Sequence, residues 1–360
     1  MDAEAYGLLD RAVHRLAFGS GPGRAMMRDL ETRLFGGTIA RQPIESPVFI
    51  TALPRAGTTL LLEILAAHPQ LATQSYRDMP FVLSPVMWQH LSGRFRAKQS
   101  RRERAHGDGL KVNADSPEAF EEVLWLDAFP EHYAPDGIIP WPEGGAAIRA
   151  PLADLMRRLI AARAPDAEAP VRYLSKNNAN IARLGALRAA FGDARLLVPL
   201  RPPLDHAVSL HCQHLRFLDL HRQSAFARRY MADIGHFEFG ALHRPILVEG
   251  KKAARAHNDP KTPDYWLDYW VRIHRHIARH PNLFLLDMEA FTATPDIAGL
   301  LACLGLRPDA GVNARAGALI RQMTRRARPE GIDPDLLAEA TELYRALAAR
   351  SILTGTPRAA

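Results

Sequence analysis

A short segment that combines an arginine, a glycine and two threonines lies between a predicted strand and a predicted helix. It reads PRAGTT and spans residues 54–59. In this position Gly57 and the amides that follow it can direct N–H groups at an anion from the start of a helix. Arg55 adds a planar guanidinium suited to bidentate contacts with phosphate or sulfate. The segment therefore predicts an anion site, and the alternative is a turn that needs Gly57 only for its backbone geometry.

This segment differs from the phosphate-binding loop of nucleoside triphosphatases, whose pattern is G-x-x-x-x-G-K-[ST]. Ala52 takes the first glycine position, Thr58 takes the lysine position, and Thr59 takes the hydroxyl position. A magnesium-dependent kinase also needs an acid at the end of a later strand, whereas the strand ARLLVPL is followed by Arg201. These residues fit a ligand with two separated anionic groups, held by protein cations without a metal, better than they fit ATP with Mg²⁺.

The elements that must position these residues alternate between strands and helices. In order they are SPVFITAL, TTLLLEILAAH, VRYLSKN, IARLGALRAAFG, ARLLVPL and LDHAVSLHCQHLRFL. Such alternation predicts an α/β fold with a parallel sheet. We expect one domain over residues 1–360, with an N-terminal helical extension over about 1–45. Acceptor-side insertions are expected over about 91–170 and 217–280.

Two segments of the chain resemble the superfamily of sulfotransferases that use 3′-phosphoadenosine-5′-phosphosulfate (PAPS). PRAGTTLLLEILAAHP is similar to the family's 5′-phosphosulfate loop, P-[KR]-[SA]-G-T-T. LLVPLRPPLDHAVSL is similar to its 3′-phosphate site, an arginine that ends a strand and a serine in the next helix, here Arg201 and Ser209. YLSKNNAN resembles a third family element through Lys176. The spacing is closest to the bacterial and tyrosylprotein branch.

The resemblance implies a three-layer fold like that of P-loop NTPases, with a central parallel sheet and helical insertions. It implies transfer of a sulfuryl group from PAPS to an acceptor hydroxyl or amine. The product left from PAPS is the 3′,5′-bisphosphate PAP. Arg55 and Lys176 are expected to stabilise the transferring group. The acceptor is expected to be a carbohydrate or a lipid-linked sugar. The residues expected to bind PAPS, without a metal, are Arg55, Ala56, Gly57, Thr58, Thr59, Arg201 and Ser209.

The group that accepts the proton of the acceptor is where the chain departs from this branch. Tyrosylprotein sulfotransferases carry a glutamate pair shortly after HP, but here Tyr76 lies near that place and the nearby acid is Asp78. A second candidate lies in SPEAFEEVLWL, predicted as a helix that starts at Ser116 and carries Glu118 and Glu122 on one face. We take Asp78 and Glu122 as candidate bases. Their alternatives are an ion pair or cap for Asp78 and a solvent-exposed helix face for Glu122.

Composition sets the remaining expectations. There are 46 Lys and Arg residues against 39 Asp and Glu, a net charge of +7 that favours anionic ligands. Two cysteines without paired spacing predict neither a disulfide framework nor a zinc site. The sequence shows neither a secretory signal nor a membrane-spanning segment, so we expect a cytoplasmic protein. The resemblance to sulfotransferases implies no nucleic-acid partner. A P-loop kinase and a non-catalytic PAP-binding protein are the alternative functions.

Overall fold

The computed structural model describes residues 21–92, 102–103, 111–112, 116–118, 120–250, 257–321 and 331–353. A five-stranded sheet lies at its centre, with the strand order β2-β7-β1-β8-β9 and parallel pairing throughout. The strands of the described part of the chain are β1 (Val48–Ile50), β2 (Leu71–Ala72), β3 (Arg102–Glu103), β4 (Lys111–Val112), β5 (Tyr133–Ala134), β6 (Gly137–Ile138), β7 (Arg172–Lys176), β8 (Arg195–Leu200) and β9 (Phe284–Asp287). The predicted parallel α/β fold is confirmed.

Helices cover both faces of the sheet, as the three-layer prediction requires. The described helices are α1 (Gly21–Ala40), α2 (Thr58–Leu65), α3 (Pro85–Ser92), α4 (Glu122–Ala128), α5 (Ala146–Arg163), α6 (Leu184–Ala190), α7 (Pro203–Gln223), α8 (Ala225–Asp233), α9 (Pro263–Ala278), α10 (Met288–Ala293), α11 (Ile297–Cys303), α12 (Ala310–Leu319) and α13 (Pro334–Ala348). No helix among these residues is both long enough and apolar enough to cross a membrane.

The central strand β1 shows how the three layers form. Its residues alternate between faces: Phe49 packs in the cluster formed with α4, α5, α7 and α9, while Val48 and Ile50 pack in the cluster formed with α2, α10, α11 and α12. All three side chains are buried. A parallel strand covered on both faces reads as a continuous apolar run, which is the pattern that the sequence shows here.

The predicted helix at SPEAFEEVLWL is wrong in its first half. The helix begins at Glu122, and Pro117 instead forms an antiparallel bridge with Ser75. The Tyr76 backbone N–H donates to the carbonyl oxygen of Ser116 at 3.2 Å. Pairing with a distant segment has overridden the local cap signal at Ser116, so Glu118 and Glu122 do not share a helix face.

Candidate functional site

Three adjacent strands bring the predicted anion-binding residues to one edge of the sheet. β1 lies between β7 and β8, and all three run in the same direction. Lys176 ends β7 opposite Ile50, and Arg201 directly follows β8. The carboxyl ends of parallel strands share one edge, where α/β proteins bind their ligands. Lys176 and Arg201 therefore flank the loop that joins β1 to α2, which is residues 51–57.

The conformation of this loop requires glycine at position 57. Gly57 has φ 101°, in the left-handed region, and directly precedes the first residue of α2. A Cβ atom built on Gly57 would lie 2.8 Å from the Cε atom of Met288. The positive φ strains any residue with a side chain, whereas the contact is with the flexible end of the Met288 side chain, which can move aside. The loop also holds Arg55 at φ 71°, which is uncommon for a residue with a side chain.

Arg55, Arg201 and Ser209 form one hydrogen-bonded group. The Arg55 Nε atom donates to the Ser209 hydroxyl at 3.3 Å. The Arg201 Nη1 atom donates to the backbone carbonyl oxygen of Arg55 at 2.9 Å. Arg201 and Ser209 follow Arg55 by 146 and 154 positions in the sequence, yet both are in direct contact with it. The two sequence segments predicted to bind separate anionic groups lie within one site.

His206 supports the loop from the α7 side. The Trp270 indole N–H donates to His206 Nδ1 at 3.2 Å, so the ring proton of neutral His206 lies on Nε2. That Nε2–H donates to the carbonyl oxygen of Pro54 at 2.8 Å. Burial, reinforced by the nearby charge of Arg201, holds the pKa of His206 well below its usual range. A neutral, fixed imidazole therefore anchors the loop at Pro54.

The sequence alone gives His206 no role in the site. Its partner Trp270 lies on α9, 64 positions away, and no local pattern announces that contact. The one available signal is position: His206 follows Arg201 by five residues, within the first turn of α7.

Asn178 connects the loop to a more distant segment. The Thr58 hydroxyl donates to Asn178 Oδ1 at 3.4 Å, and the Thr51 hydroxyl donates to the Asn178 backbone carbonyl at 3.3 Å. The Asn178 amide group then donates to Glu238 Oε1 at 3.0 Å. Both threonines and Asn178 are buried. The loop is thus connected through Asn178 to the acidic residue Glu238.

Glu122, a predicted base, lies in a buried network of ionic and polar groups. Both of its oxygens accept hydrogen bonds from the Arg183 guanidinium at 2.9 Å. Tyr133 donates to it at 2.5 Å and Asn177 at 2.7 Å. These four bonds occupy the main lone-pair directions of the carboxylate. A base role for Glu122 stays a prediction, and its contacts favour a structural one.

Asp78, the other predicted base, also has a cationic partner. Its Oδ2 atom accepts a hydrogen bond from Arg163 at 2.5 Å and another from the Ser75 backbone N–H at 2.8 Å. Asp78 thereby caps the short 3₁₀ helix Tyr76–Asp78. Its assignment as a base likewise stays a prediction. Nearby, the Tyr76 hydroxyl donates to Glu118 at 2.6 Å.

A cavity opens beside the end of β7, next to the loop. Its walls come from the loop, from residues 176–179, from residues 235–246 and from α9, with Glu122 and Ile138 completing the lining. Lining side chains central to the site are Pro54, Lys176, Asn178, Glu238, Trp266 and Tyr269. Across the described residues, no three His, Cys, Asp or Glu side chains are grouped to hold a metal ion.

Comparisons with known proteins agree with this geometry. A family model described as "Sulfotransferase family" matches residues 47–243, which include the loop, Lys176, Arg201 and Ser209. The solved structure of sulfotransferase STF1 from Mycobacterium tuberculosis is similar, with a TM-score of 0.50 and 14% identity over 93% of this chain and 85% of that one. The solved structure of sulfotransferase STF9 from Mycobacterium avium is also similar, with a TM-score of 0.51 and 16% identity. That comparison covers 94% of this chain and 82% of the other. A search of curated protein sequences finds no match.

Proposed function

Because this chain belongs to the sulfotransferase family, we propose that it transfers a sulfuryl group from PAPS to a hydroxyl or amine of a carbohydrate or glycolipid acceptor. The observation that supports this most directly is the contact of Arg55 with Ser209 and of Arg201 with the Arg55 backbone. Two arginines and a loop of backbone amides at one sheet edge suit a ligand that carries two anionic groups.

The proposed binding mode places the 5′-phosphosulfate at the loop. The amides of Gly57, Thr58 and Thr59 lie at the start of α2, where N–H groups and the helix dipole favour an anion. The Arg55 guanidinium is part of the same loop. Ala56 is buried, so its contribution is its backbone amide and its small size.

The 3′-phosphate is proposed to bind Arg201 and Ser209. Arg201 follows β8 and Ser209 lies two turns into α7, so both side chains approach the loop from the same side. An arginine fork matches a phosphate group bidentately, and a hydroxyl can donate one more hydrogen bond. This pair would distinguish PAPS from ATP, which has no 3′-phosphate.

Sulfuryl transfer requires stabilisation of negative charge as the bond to the 5′-phosphate breaks. By analogy with phosphoryl transfer, charge spreads over the equatorial oxygens of a loose transition state. Lys176, at the end of β7 next to the loop, can place an ammonium group at this charge. The loop amides and Arg55 would hold the leaving 5′-phosphate. No step in this scheme assigns a role to a metal.

The cavity beside Lys176 supports a carbohydrate or glycolipid as the acceptor. It is lined by polar side chains, including Asn178 and Glu238, and by the aromatic rings of Phe237, Trp266 and Tyr269. Sites for small organic ligands combine apolar and aromatic walls with a few placed polar groups. A sugar offers both hydroxyl groups and apolar C–H faces, and therefore matches this mixture.

Labelled PAPS tests the proposal. The purified chain would be incubated with ³⁵S-PAPS and a panel of alkyl glycosides, glycolipids, amino sugars and a tyrosine peptide. We expect label in a glycoside or glycolipid, together with stoichiometric release of PAP. Label only in the peptide would overturn the acceptor class. Phosphorylation of the panel by γ-labelled ATP with Mg²⁺, without any transfer from PAPS, would overturn the proposal itself.

A further inference from the structure

An acidic side chain that the sequence did not single out faces the proposed acceptor cavity. Glu238 lies in the segment 235–246, after α8, and lines the cavity together with Lys176. Its side chain is about a quarter exposed, at 26%. The carboxylates of Asp78 and Glu122, by contrast, are only 3% and 5% exposed. Glu122 also lines this cavity, but Glu238 is the most exposed of the three acids.

The hydrogen-bond chain from the loop fixes where this carboxylate points. A carboxylate only accepts hydrogen bonds, so the Asn178 NH₂ group must face Glu238, at 3.0 Å, and its Oδ1 atom must face the Thr58 hydroxyl, at 3.4 Å. One side-chain amide thus separates Glu238 from the first residue of α2. The proposed sulfuryl site lies at that same residue, which places Glu238 next to the reacting groups.

Among the described residues, the Glu238 carboxylate accepts fewer hydrogen bonds than the carboxylates of Asp78 and Glu122. Asp78 is hydrogen-bonded to the Arg163 guanidinium and Glu122 to that of Arg183, so each of these carboxylates is already held by an arginine. Glu238 is hydrogen-bonded instead to a neutral amide. Its other oxygen, Oε2, is 3.8 Å from His236 Nδ1, which is too long for a hydrogen bond.

We propose that Glu238 is the general base for an acceptor hydroxyl bound in this cavity. The proton of the acceptor hydroxyl moves to Glu238 while the oxygen of that hydroxyl forms a bond to the sulfur of PAPS. The bond between that sulfur and the bridging oxygen of the 5′-phosphate breaks, and its electron pair stays on PAP. This inference rests on the proposed PAPS-dependent function and names a base outside the segment that follows HP.

The variant Glu238→Gln tests this assignment with little change in shape. A glutamine can still accept the Asn178 hydrogen bond through its Oε1 atom, but it cannot take up a proton. With the glycoside that the wild type sulfates fastest, kcat should fall by about 10²- to 10⁴-fold, while affinity for PAP stays within about twofold. Glu249→Gln, at an exposed position of the same connecting region, is the matched control and should retain full turnover.

A second acceptor separates a base from a merely structural residue. p-Nitrophenol ionises near neutral pH and needs no enzymatic base, so Glu238→Gln should sulfate it at nearly the wild-type rate at pH 8. Equal losses with p-nitrophenol and the glycoside would overturn the inference, as would unchanged glycoside turnover. A large loss in His236→Gln with none in Glu238→Gln would assign the base to His236 instead. Absence of any transfer from PAPS by the wild type would overturn the proposed function itself.

Discussion

The Arg201 guanidinium donates a hydrogen bond to the backbone carbonyl of Arg55, joining the end of β8 to the loop after β1 at 2.9 Å. Arg55 in turn contacts Ser209 on α7. The cationic group at one end of the proposed PAPS site thereby also fixes the backbone at the other end. A substitution at Arg201 is expected to affect both the proposed 3′-phosphate contact and the position of the loop.

Arg201→Ala should weaken PAP binding by about 10- to 100-fold, since a hydrogen bond to a charged group contributes about 1.5–3 kcal/mol. Arg201→Lys should recover part of this affinity, because lysine keeps the charge but loses the planar fork. Isothermal titration calorimetry measures the PAP affinity of both variants. Arg216→Ala removes a charge from an exposed position of α7 and is the control. Equal PAP affinities in Arg201→Ala and Arg216→Ala would refute the 3′-phosphate assignment.

Gly57→Ala should abolish PAP binding and destabilise the fold. Alanine at φ 101° is strained, at a cost of order 1–3 kcal/mol, and its Cβ would also lie 2.8 Å from Met288. Urea denaturation measures the loss of stability, and titration calorimetry measures the loss of PAP binding. Gly37→Ala is the control: it lies inside helix α1, and beyond the local helix backbone no atom lies within 4 Å of its new Cβ. That variant should be equally or more stable than wild type, and similar behaviour of the two variants would contradict the account.

Glu122→Gln should act mainly on stability. The substitution leaves the fully buried Arg183 guanidinium without its counter-charge, and breaking a buried ion pair in this way costs about 3–5 kcal/mol. Chemical denaturation should show this loss, whereas Glu249→Gln should not. At a temperature where the variant is folded, its turnover at saturating PAPS should stay within about tenfold of wild type. Normal stability together with lost turnover would identify Glu122 as the base after all.

His274 should make the protein less stable in mild acid. It is fully buried on α9, and burial lowers its pKa from 6.5 to about 4. Below pH 6.5 the unfolded chain therefore binds a proton that the folded chain excludes, so the free energy of unfolding falls as pH decreases towards 4. At pH 5 this one group should cost about 2 kcal/mol relative to pH 7. Urea denaturation at pH 5 and pH 7 gives the free energy of unfolding of wild type and of His274→Asn. If this free energy changes equally with pH in the two proteins, the prediction is refuted.

The parts of the site that follow strand ends could be predicted from the sequence. Parallel order and buried strands place Lys176 and Arg201 beside the loop, because neighbouring strands end at one edge of the sheet. Helix α9 also buries Trp266, Trp270, Ile273 and Ile277, which recur at the spacing of one helical face. These features depend on periodicity and on short local patterns, which a single sequence displays.

The rest depends on contacts between distant residues. Ser116 has the local signature of a helix cap, but the segment pairs with Ser75 instead. The orientation of His206 depends on Trp270, and the position of Glu238 depends on Asn178, 60 positions away. Irregular segments such as 235–246 carry no periodicity from which their contacts could be read. A base supplied by such a segment is visible only once the chain is folded.

Titration calorimetry with PAP, and separately with ATP and Mg²⁺, tests the central claim most directly. The loop, Arg201 and Ser209 are proposed to bind two separated phosphate groups without a metal. We expect tight binding of PAP in the presence of EDTA, much weaker binding of 5′-AMP, which lacks the 3′-phosphate, and still weaker binding of ATP with Mg²⁺. Binding of ATP with Mg²⁺ that is tighter than binding of PAP would contradict it.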